Sequence, residues 1–543
     1  MRVAEAVGRA LAHEGVDHVF GVVGSGNFHT TNAMVAGGAR FVAARHEMGA
    51  ATMADAFARV SGRVAAVTVH QGCGLTNAMT GITEAAKSRT ALVVVAAEAD
   101  QPSSNFFVDQ PALARAVGAV SERVTSADTA VDDAVRAVRR ARAERRTVLL
   151  NLPLGVQSLD CPQDPAAVAP YVSPEPLRPS AAHVDALAGA LGRARRPVFV
   201  AGRGALHARA ELQALAEACG ALLATSAVAR GLFHDSPWSL DVSGGFASPL
   251  AADLVTDADL VVGWGCALNM WTMRHGRLIG PRTTVAQVDL DQEALGAARP
   301  IDIGVVGDVG ETAGAARSAL AGREHAGYRD EALRERIARE LSWRDVPYDD
   351  DSGDGRVDPR TLTLELDRLL PAERVVGVDS GNFMGYPSMF LSVPDEHGLC
   401  FTQAFQSVGL GMATAIGAAL ARPDRLPVAA LGDGGFHMGV AELETVVRLG
   451  LPMVVAVYDD EAYGAEVHHF GPDGHPLDIV RFPATDIAAI GRGFGCDAVT
   501  VRGAADLAAV RDWVDGPRDR PLVVDAKVTR DRGSWWLEEA FGH

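Results

Sequence analysis

Residues 427–464 read PVAALGDGGFHMGVAELETVVRLGLPMVVAVYDDEAYG, and they decide the fold. Two apolar runs rich in Val and Ala, PVAALG and PMVVAVYDD, flank AELETVVRLG, whose apolar residues recur at helical spacing, so the stretch is one βαβ unit. Right-handed crossovers make its two strands parallel. Asp433 and Asp460, 27 residues apart in the chain, therefore fall together at the carboxyl ends of strands, where open α/β sheets bind ligands. Taken alone, Gly432-Asp433-Gly434 is an ordinary strand-to-helix turn. Joined to a second carboxylate, to the backbone amides of Gly434 and Gly435 and to the turn Ala462-Tyr463-Gly464, it becomes a place to hold a diphosphate through a metal. Mg2+ suits such a site, because it keeps few protein ligands and takes the rest from phosphate and water.

Working outward, the same alternation fills the chain. ALVVVAAEA (91–99), TVLLNLPL (147–154), RPVFVAG (196–202) and DLVVGWG (259–265) are strand-like runs between helical stretches, the pattern of parallel, doubly wound sheets covered by helices. Two stretches break it: the Pro- and Ser-rich segment 155–180 and the acidic segment 344–358, RDVPYDDDSGDGRVD. At 543 residues the chain is too long for one core, since cores stop growing near roughly 250–300 residues. The sequence therefore predicts an α/β protein of three doubly wound parallel-sheet domains, placed at 1–165, 180–340 and 355–543.

Net charge is −18, with no Lys/Arg stripe to reverse it locally, which argues against nucleic acid and anionic membranes as partners. Six scattered cysteines form no C-x-x-C pair, so they read as mostly reduced core residues. Residues 1–20 carry Glu5, His13, Glu14 and Asp17 within an apolar run, which predicts an amphipathic helix rather than a signal peptide, and a cytoplasmic location is the expectation.

The set GDG, a carboxamide or carboxylate pair, then Tyr-Gly resembles the cofactor-binding motif of the thiamine diphosphate (ThDP)-dependent decarboxylase and acetolactate synthase superfamily. The departure is Asp459-Asp460 in place of the usual Asn pair. The resemblance implies Asp433, Asp460 and Ala462 as metal ligands, with an added negative charge that alters metal or cofactor affinity, and Asp459 as structural. It implies diphosphate contacts from Gly381 and Asn382 in DSGNF (379–383) and a bent cofactor resting on Val408. Gln406 then offers its backbone carbonyl to the aminopyrimidine. Each also has a plain reading, Val408 as core and SGN as a turn.

In the first domain, FVAARHEMGAATMADAFARVSG (41–62) places Glu47 after a strand at a helix N-terminus, where an acid is favoured by the helix dipole alone. The resemblance makes Glu47 the acid that shares a proton with the cofactor's pyrimidine. It also makes the small-residue face Gly49, Ala50, Ala51, Ala54 and Ala58 a subunit interface, so the minimum unit is a homodimer, with a homotetramer also in range. VTVHQGCGLTNAMTG (67–81) resembles the block lining the substrate cavity. His70 and Gln71 stand where acetolactate synthases carry Thr-Ser, and His70 is similar to the proton-moving histidine of benzoylformate decarboxylase, a task suited to imidazole. Ser25 and Asn27 in GVVGSGNF resemble that enzyme's substrate loop, and Gln110 also faces the cavity in this reading. Glu466, His468 and His469 lie on the segment over the active site, either as substrate contacts and proton relays or as exposed helix residues.

Gly202-x-Gly204 in the middle domain lacks the full G-x-G-x-x-G, and GCALNMWTMRHG (265–276) replaces the flavin-contacting segment of FAD-binding relatives. FAD is not expected. Trp271 and His275 there either face substrate or pack. The resemblance implies decarboxylation of a 2-oxo acid followed by ligation to a carbonyl acceptor, as in acetolactate synthases. Aldehyde release, as in benzoylformate decarboxylase, is the alternative that His70 favours. A flavin-dependent 2-oxo acid oxidase and a non-catalytic paralogue complete the range.

Overall fold

The computed structural model describes residues 1–321 and 327–537. It contains three sheets of six strands, and every strand pair is parallel. The first sheet comprises β1 (His18–Gly21), β2 (Arg40–Ala43), β3 (Ala65–Val69), β4 (Leu92–Glu98), β5 (Val120–Arg123) and β6 (Thr147–Pro153) in the order 2-1-3-4-6-5. The second comprises β7 (Pro197–Ala201), β8 (Leu222–Thr225), β9 (Ser239–Val242), β10 (Leu260–Trp264), β11 (Thr284–Asp289) and β12 (Ile303–Val306), ordered 9-8-7-10-11-12. That is the dinucleotide-fold order, with its switch point between β7 and β10. The third, β13 (Arg374–Val378), β14 (Leu399–Phe401), β15 (Leu426–Gly432), β16 (Val454–Asp459), β17 (Asp497–Val501) and β18 (Leu522–Lys527), runs 14-13-15-16-18-17 and so repeats the first.

Central strands such as β3, β4, β6 and β16 are buried along their whole length. This is why they read as continuous apolar runs instead of alternating ones. The Pro- and Ser-rich stretch holds a single turn of helix at Leu154–Gln157, a short 3-10 turn at Pro165–Ala167 and no regular element from 168 to 180. The acidic stretch begins in a 3-10 turn at Trp343–Asp345 and holds no longer element up to Asp358, which caps the helix Pro359–Leu369 by accepting the Arg360 N–H. No helix among the described residues is long and apolar enough to cross a membrane.

The first and third domains share a core. The helix Glu47–Ser61 lies between the helices Cys73–Lys87 and Gly411–Ala421: Gly81 faces Ala51, and Gly417 faces the Met53 carbonyl and Ala56. The small-residue face expected at a subunit interface is thus filled within one chain, with Ala50, Ala51 and Ala54 fully buried. The correction has a plain cause: the facing helix, GMATAIGAALA, is equally rich in small residues, so the two backbones approach closely without any second copy.

Candidate functional site

Asp433 and Asp460 come together as the parallel register requires, since Gly432 on β15 pairs with Tyr458 on β16. Asp433 opens a seven-residue helix, Asp433–Gly439, that precedes the expected one at Glu442–Arg448; the sequence pattern predicts only a turn there. The two carboxyls are close enough for the charge of Asp460 to act on Asp433. Burial holds both above the ordinary carboxylate range, and at Asp433 the charges of Asp460 and Asp459 add to the effect. Asp460 Oδ1 accepts the Ala462 N–H at 3.2 Å. A Cβ at Gly464 would press on Asp460 Oδ2 and displace that carboxylate.

Asp459 turns away from this pair. Its carboxylate is 1% exposed, pairs with the buried ammonium of Lys527 and accepts the Glu461 N–H at 3.0 Å. Lys527 also lies 3.0 Å from Asp525 and donates to the Thr485 carbonyl at 2.9 Å. Of these two adjacent aspartates, Asp459 is neutralised internally and Asp460 turns toward Asp433. Among the described residues no group of three or more His, Cys, Asp or Glu side chains is arranged to hold a metal. A cation here would rest on two carboxylates and complete its shell from backbone, phosphate and water oxygens, which fits Mg2+.

Other third-domain residues collect around the pair. Gly464 also approaches Asn382, whose Oδ1 accepts the Ser534 N–H at 3.0 Å. Gly381 and Gly432 both lie against the Phe383 ring, and Gly434 against that of Tyr463, which packs edge-on to Phe482 at 4.8 Å. Val408 is half-buried beside Gly435. Gln406 is exposed with φ +59°, and Glu461 has φ +58°. Left-handed backbone at non-glycine residues costs energy and persists only where the surroundings impose it, and such strain collects at functional sites. Residues 402–410 form a loop rather than a strand leading into the helix. Glu466 is exposed; His468 is half-buried against Gly533, and burial lowers its pKa from the ordinary histidine value; His469 packs its ring on Phe470 at 4.5 Å.

Asp379, quoted within DSGNF but not singled out by the sequence, organises this group. It is fully buried and accepts N–H donors from Ser380 (2.8 Å), Gly409 (3.0 Å) and Leu410 (3.2 Å). Burial pushes its pKa up to about 6 against those donors. Gly435 is glycine because Asp379 Oδ2 fills the space a Cβ would take.

In the first domain, Glu47 is half-exposed at the first turn of its helix and its Oε2 accepts from Asn77 Nδ2 at 3.1 Å. His70 lies near it, across Gly74. His70 Nε2 is 3.4 Å from Ser25 Oγ and Nδ1 is 3.0 Å from the Gln71 carbonyl, with Phe106 stacked obliquely at 5.2 Å. Asn27 is buried, and its amide holds the loop instead of facing outward: Oδ1 accepts from Gly24 N–H at 2.8 Å and Nδ2 donates to Val22 and Thr68. Gln110 is likewise buried, donating to Asn151 Oδ1 at 2.9 Å and accepting from Gly72 N–H. Gln71 is buried against Gly26 with its Oε1 lacking a hydrogen-bond donor. Cys73 is the exposed member of six free cysteines; the other five are buried.

In the middle domain, Gly202 and Gly204 let their loop pack directly on the backbone of Gly265, so their spacing has a packing cause. Trp271 is half-buried against the third-domain core, and His275 sits at φ +54°. A cavity of ≈1630 Å³ opens between the three domains from these glycines to Gln406.

Three family models match in order: thiamine pyrophosphate enzyme, N-terminal TPP binding domain (residues 1–120), central domain (184–315) and C-terminal TPP binding domain (379–526). The chain belongs to the thiamine diphosphate-dependent enzyme superfamily that includes decarboxylases and acetolactate synthases. It is similar to the sulfoacetaldehyde acetyltransferase of Castellaniella defragrans, at 27% identity over 99% of this chain and 95% of that protein. The probable 2-ketoarginine decarboxylase AruI of Pseudomonas aeruginosa is 29% identical over 91% and 89%. An acetolactate synthase large subunit of Parasynechococcus marenigrum is 26% identical over 97% and 87%.

Proposed function

We propose that this enzyme uses ThDP with Mg2+ to decarboxylate a 2-oxo acid and to ligate the acyl unit to a carbonyl acceptor, working as a homodimer or homotetramer whose domains span 1–165, 180–340 and 355–543. The observation that carries the reading is the buried pair Asp433 and Asp460 under the turns at Gly434 and Gly464. When bound, the cofactor's thiazolium supplies the carbon nucleophile and electron sink. Asp433, Asp460 and the Ala462 carbonyl hold the cation; Asn382, Gly381, Gly432 and Gly435 receive the diphosphate; Val408, Gln406 and Tyr463 set the cofactor's posture. Glu47 holds a proton at the pyrimidine. His70, oriented by the Gln71 carbonyl and close to Ser25, moves protons at the substrate. His468, His469 and Glu466 close over it, while Asn27 and Gln110 act by bracing loops. FAD plays no part in this reading.

Two of the three relatives are named for acyl transfer or condensation, which supports ligation. The His70 and Ser25 contact favours a second reading, aldehyde release, as in the relative named a decarboxylase. The test is CO2 release with mass-spectrometric product analysis, using ThDP, Mg2+ and pyruvate, benzoylformate or branched 2-oxo acids, alone and with aldehyde acceptors. A condensed hydroxyketone supports ligation, an aldehyde alone supports the second reading, and no CO2 from any acid defeats both.

A pH dependence follows from the carboxylate pair. Their folded pKa values lie above the unfolded ones, so their protonation favours the metal-free fold. That contribution is complete below the ordinary carboxylate range and is lost as pH rises through the raised values. A cation must displace whatever proton the raised pair retains. Mg2+ affinity of cofactor-free protein, measured by calorimetry in buffers of different ionisation enthalpy, is expected to rise with pH and to release a proton. Asp460→Asn should flatten that slope, and an unchanged slope would count against Asp460 as a ligand.

A further inference from the structure

The first and third domains share one topology, and two buried glutamates reach across to the loops after its matching strands β2 and β14. Glu442 opens the second helix after β15, and Glu84 lies near the end of the helix following β3. Glu442 Oε1 accepts the backbone N–H groups of both Arg45 and His46 at 3.0 Å, in the loop after β2, while its Oε2 takes the Thr445 hydroxyl at 2.7 Å. Glu84 accepts the N–H groups of Ala404 (3.0 Å) and Phe405 (2.6 Å), in the loop after β14. Each acid reaches from one half of the chain into the other, and each grips the two residues immediately before a functional one: Glu47 in the first case, Gln406 in the second. The carbonyls that end the two strands are held in the same crossed fashion, Ala43 by Arg448 at 2.6 Å and Phe401 by Arg59 at 3.1 Å.

We infer that Glu442 and Glu84 are matched positioning residues: two crossed carboxylate clamps through which each half of the chain sets the other half's cofactor-facing residue. Both are nearly inaccessible, at 3% and 0% exposure, and a buried carboxylate needs such partners to remain in place. The two acids differ in charge compensation. Glu84 has the Arg59 guanidinium at 2.7 Å, whereas the Glu442 carboxylate meets backbone N–H groups and a hydroxyl at the N-terminus of the Glu47 helix, where the helix dipole favours it. The clamp also explains Gly49, where any side chain would strike Glu442 Oε1. Glu442→Gln keeps an acceptor for both N–H groups. Glu442→Ala keeps none.

The proposal rests on the ThDP reading for its consequence but not for its geometry, so two measurements are made. In cofactor-free protein, amide hydrogen exchange followed by mass spectrometry is expected to show loss of protection at residues 45–46 in Glu442→Ala and at 404–405 in Glu84→Ala. In loaded protein, exchange of the cofactor's C2 proton for deuterium, read by NMR, should slow about 100-fold in Glu442→Ala, the scale expected for a misplacement of about 1 Å. Glu442→Gln should recover most of that loss, and Glu442→Ala should add nothing on a Glu47→Gln background. Unchanged protection at 45–46, or losses that multiply in the double variant, would overturn the clamp. Wild-type protein that fails to accelerate C2 exchange would defeat the cofactor reading instead, and the amide result would still decide the clamp. Should Glu442→Ala not fold, Glu442→Gln and Glu84→Gln carry the same comparison: Glu442→Gln leaves protection near wild type, whereas Glu84→Gln, which loses one of its two acceptor oxygens, does not.

Discussion

Lys527→Met is expected to destabilise the third domain by about 3–5 kcal/mol, the range for removing one partner of a buried ion pair. The Lys527 ammonium, 4% exposed, sits between Asp459 and Asp525 and also donates to the Thr485 carbonyl at 2.9 Å. Methionine fills the same volume but leaves two carboxylates with no cation in a region whose burial already raises the Asp525 pKa. Asp459→Asn should cost less, since Lys527 keeps Asp525. Joining Asp459→Asn to Lys527→Met should restore part of the loss, because one stranded charge goes with the cation. Urea unfolding followed by tryptophan emission reads all three. A loss below about 1 kcal/mol in Lys527→Met would mean that water reaches the cluster and the pair is a surface one. The prediction bears on the site because Asp459 directly precedes Asp460 and accepts the Glu461 N–H at 3.0 Å. Its ion pair therefore anchors the strand end from which the candidate metal ligand projects.

The alternation of Val-rich runs with helical spacing exposed the three sheets, because strands buried on both faces must be apolar throughout. Spacing and crossover handedness were enough to place Asp433 beside Asp460. Three features were hidden for separate physical reasons. Lys527 lies 68 residues from Asp459, and nothing local marks a lysine on β18 as a buried counterion. Glu84 and Glu442 sit on helices whose spacing looks amphipathic; their meaning comes from backbone N–H groups more than 300 residues away, and a backbone donor has no signature in a sequence. Asn27 and Gln110 carry polar groups suited to a substrate, yet burial turns them inward to brace loops. Residue type cannot distinguish an amide that faces a cavity from one that holds the cavity's wall. The helix of small residues misled in the opposite sense, because a close-packing face does not say whose helix packs on it.

Glu47→Gln is expected to lower both C2-proton exchange of bound cofactor and turnover by about 100- to 10,000-fold, the usual worth of a positioned acid or base, with cofactor affinity changed far less. The side chain keeps its shape and its contact with Asn77, 3.1 Å away, but can no longer give or take the proton. Its helix should remain in place, because His46 caps it by accepting the Met48 N–H at 3.1 Å. A variant within tenfold of wild type would remove Glu47 from the chemistry. The same variant decides how many chains build one site. Glu47 is half-exposed on a single chain although the helix behind it is fully packed, as expected if a second copy covers it. If Glu47 of one chain meets Asp433 of another, Glu47→Gln and Asp433→Ala should each be inactive alone. Unfolding and refolding them as a mixture should restore about one quarter of wild-type activity, since half the dimers are mixed and half of their sites intact. If both residues serve a site within one chain, every site in the mixture carries one defect, and no recovery will be seen.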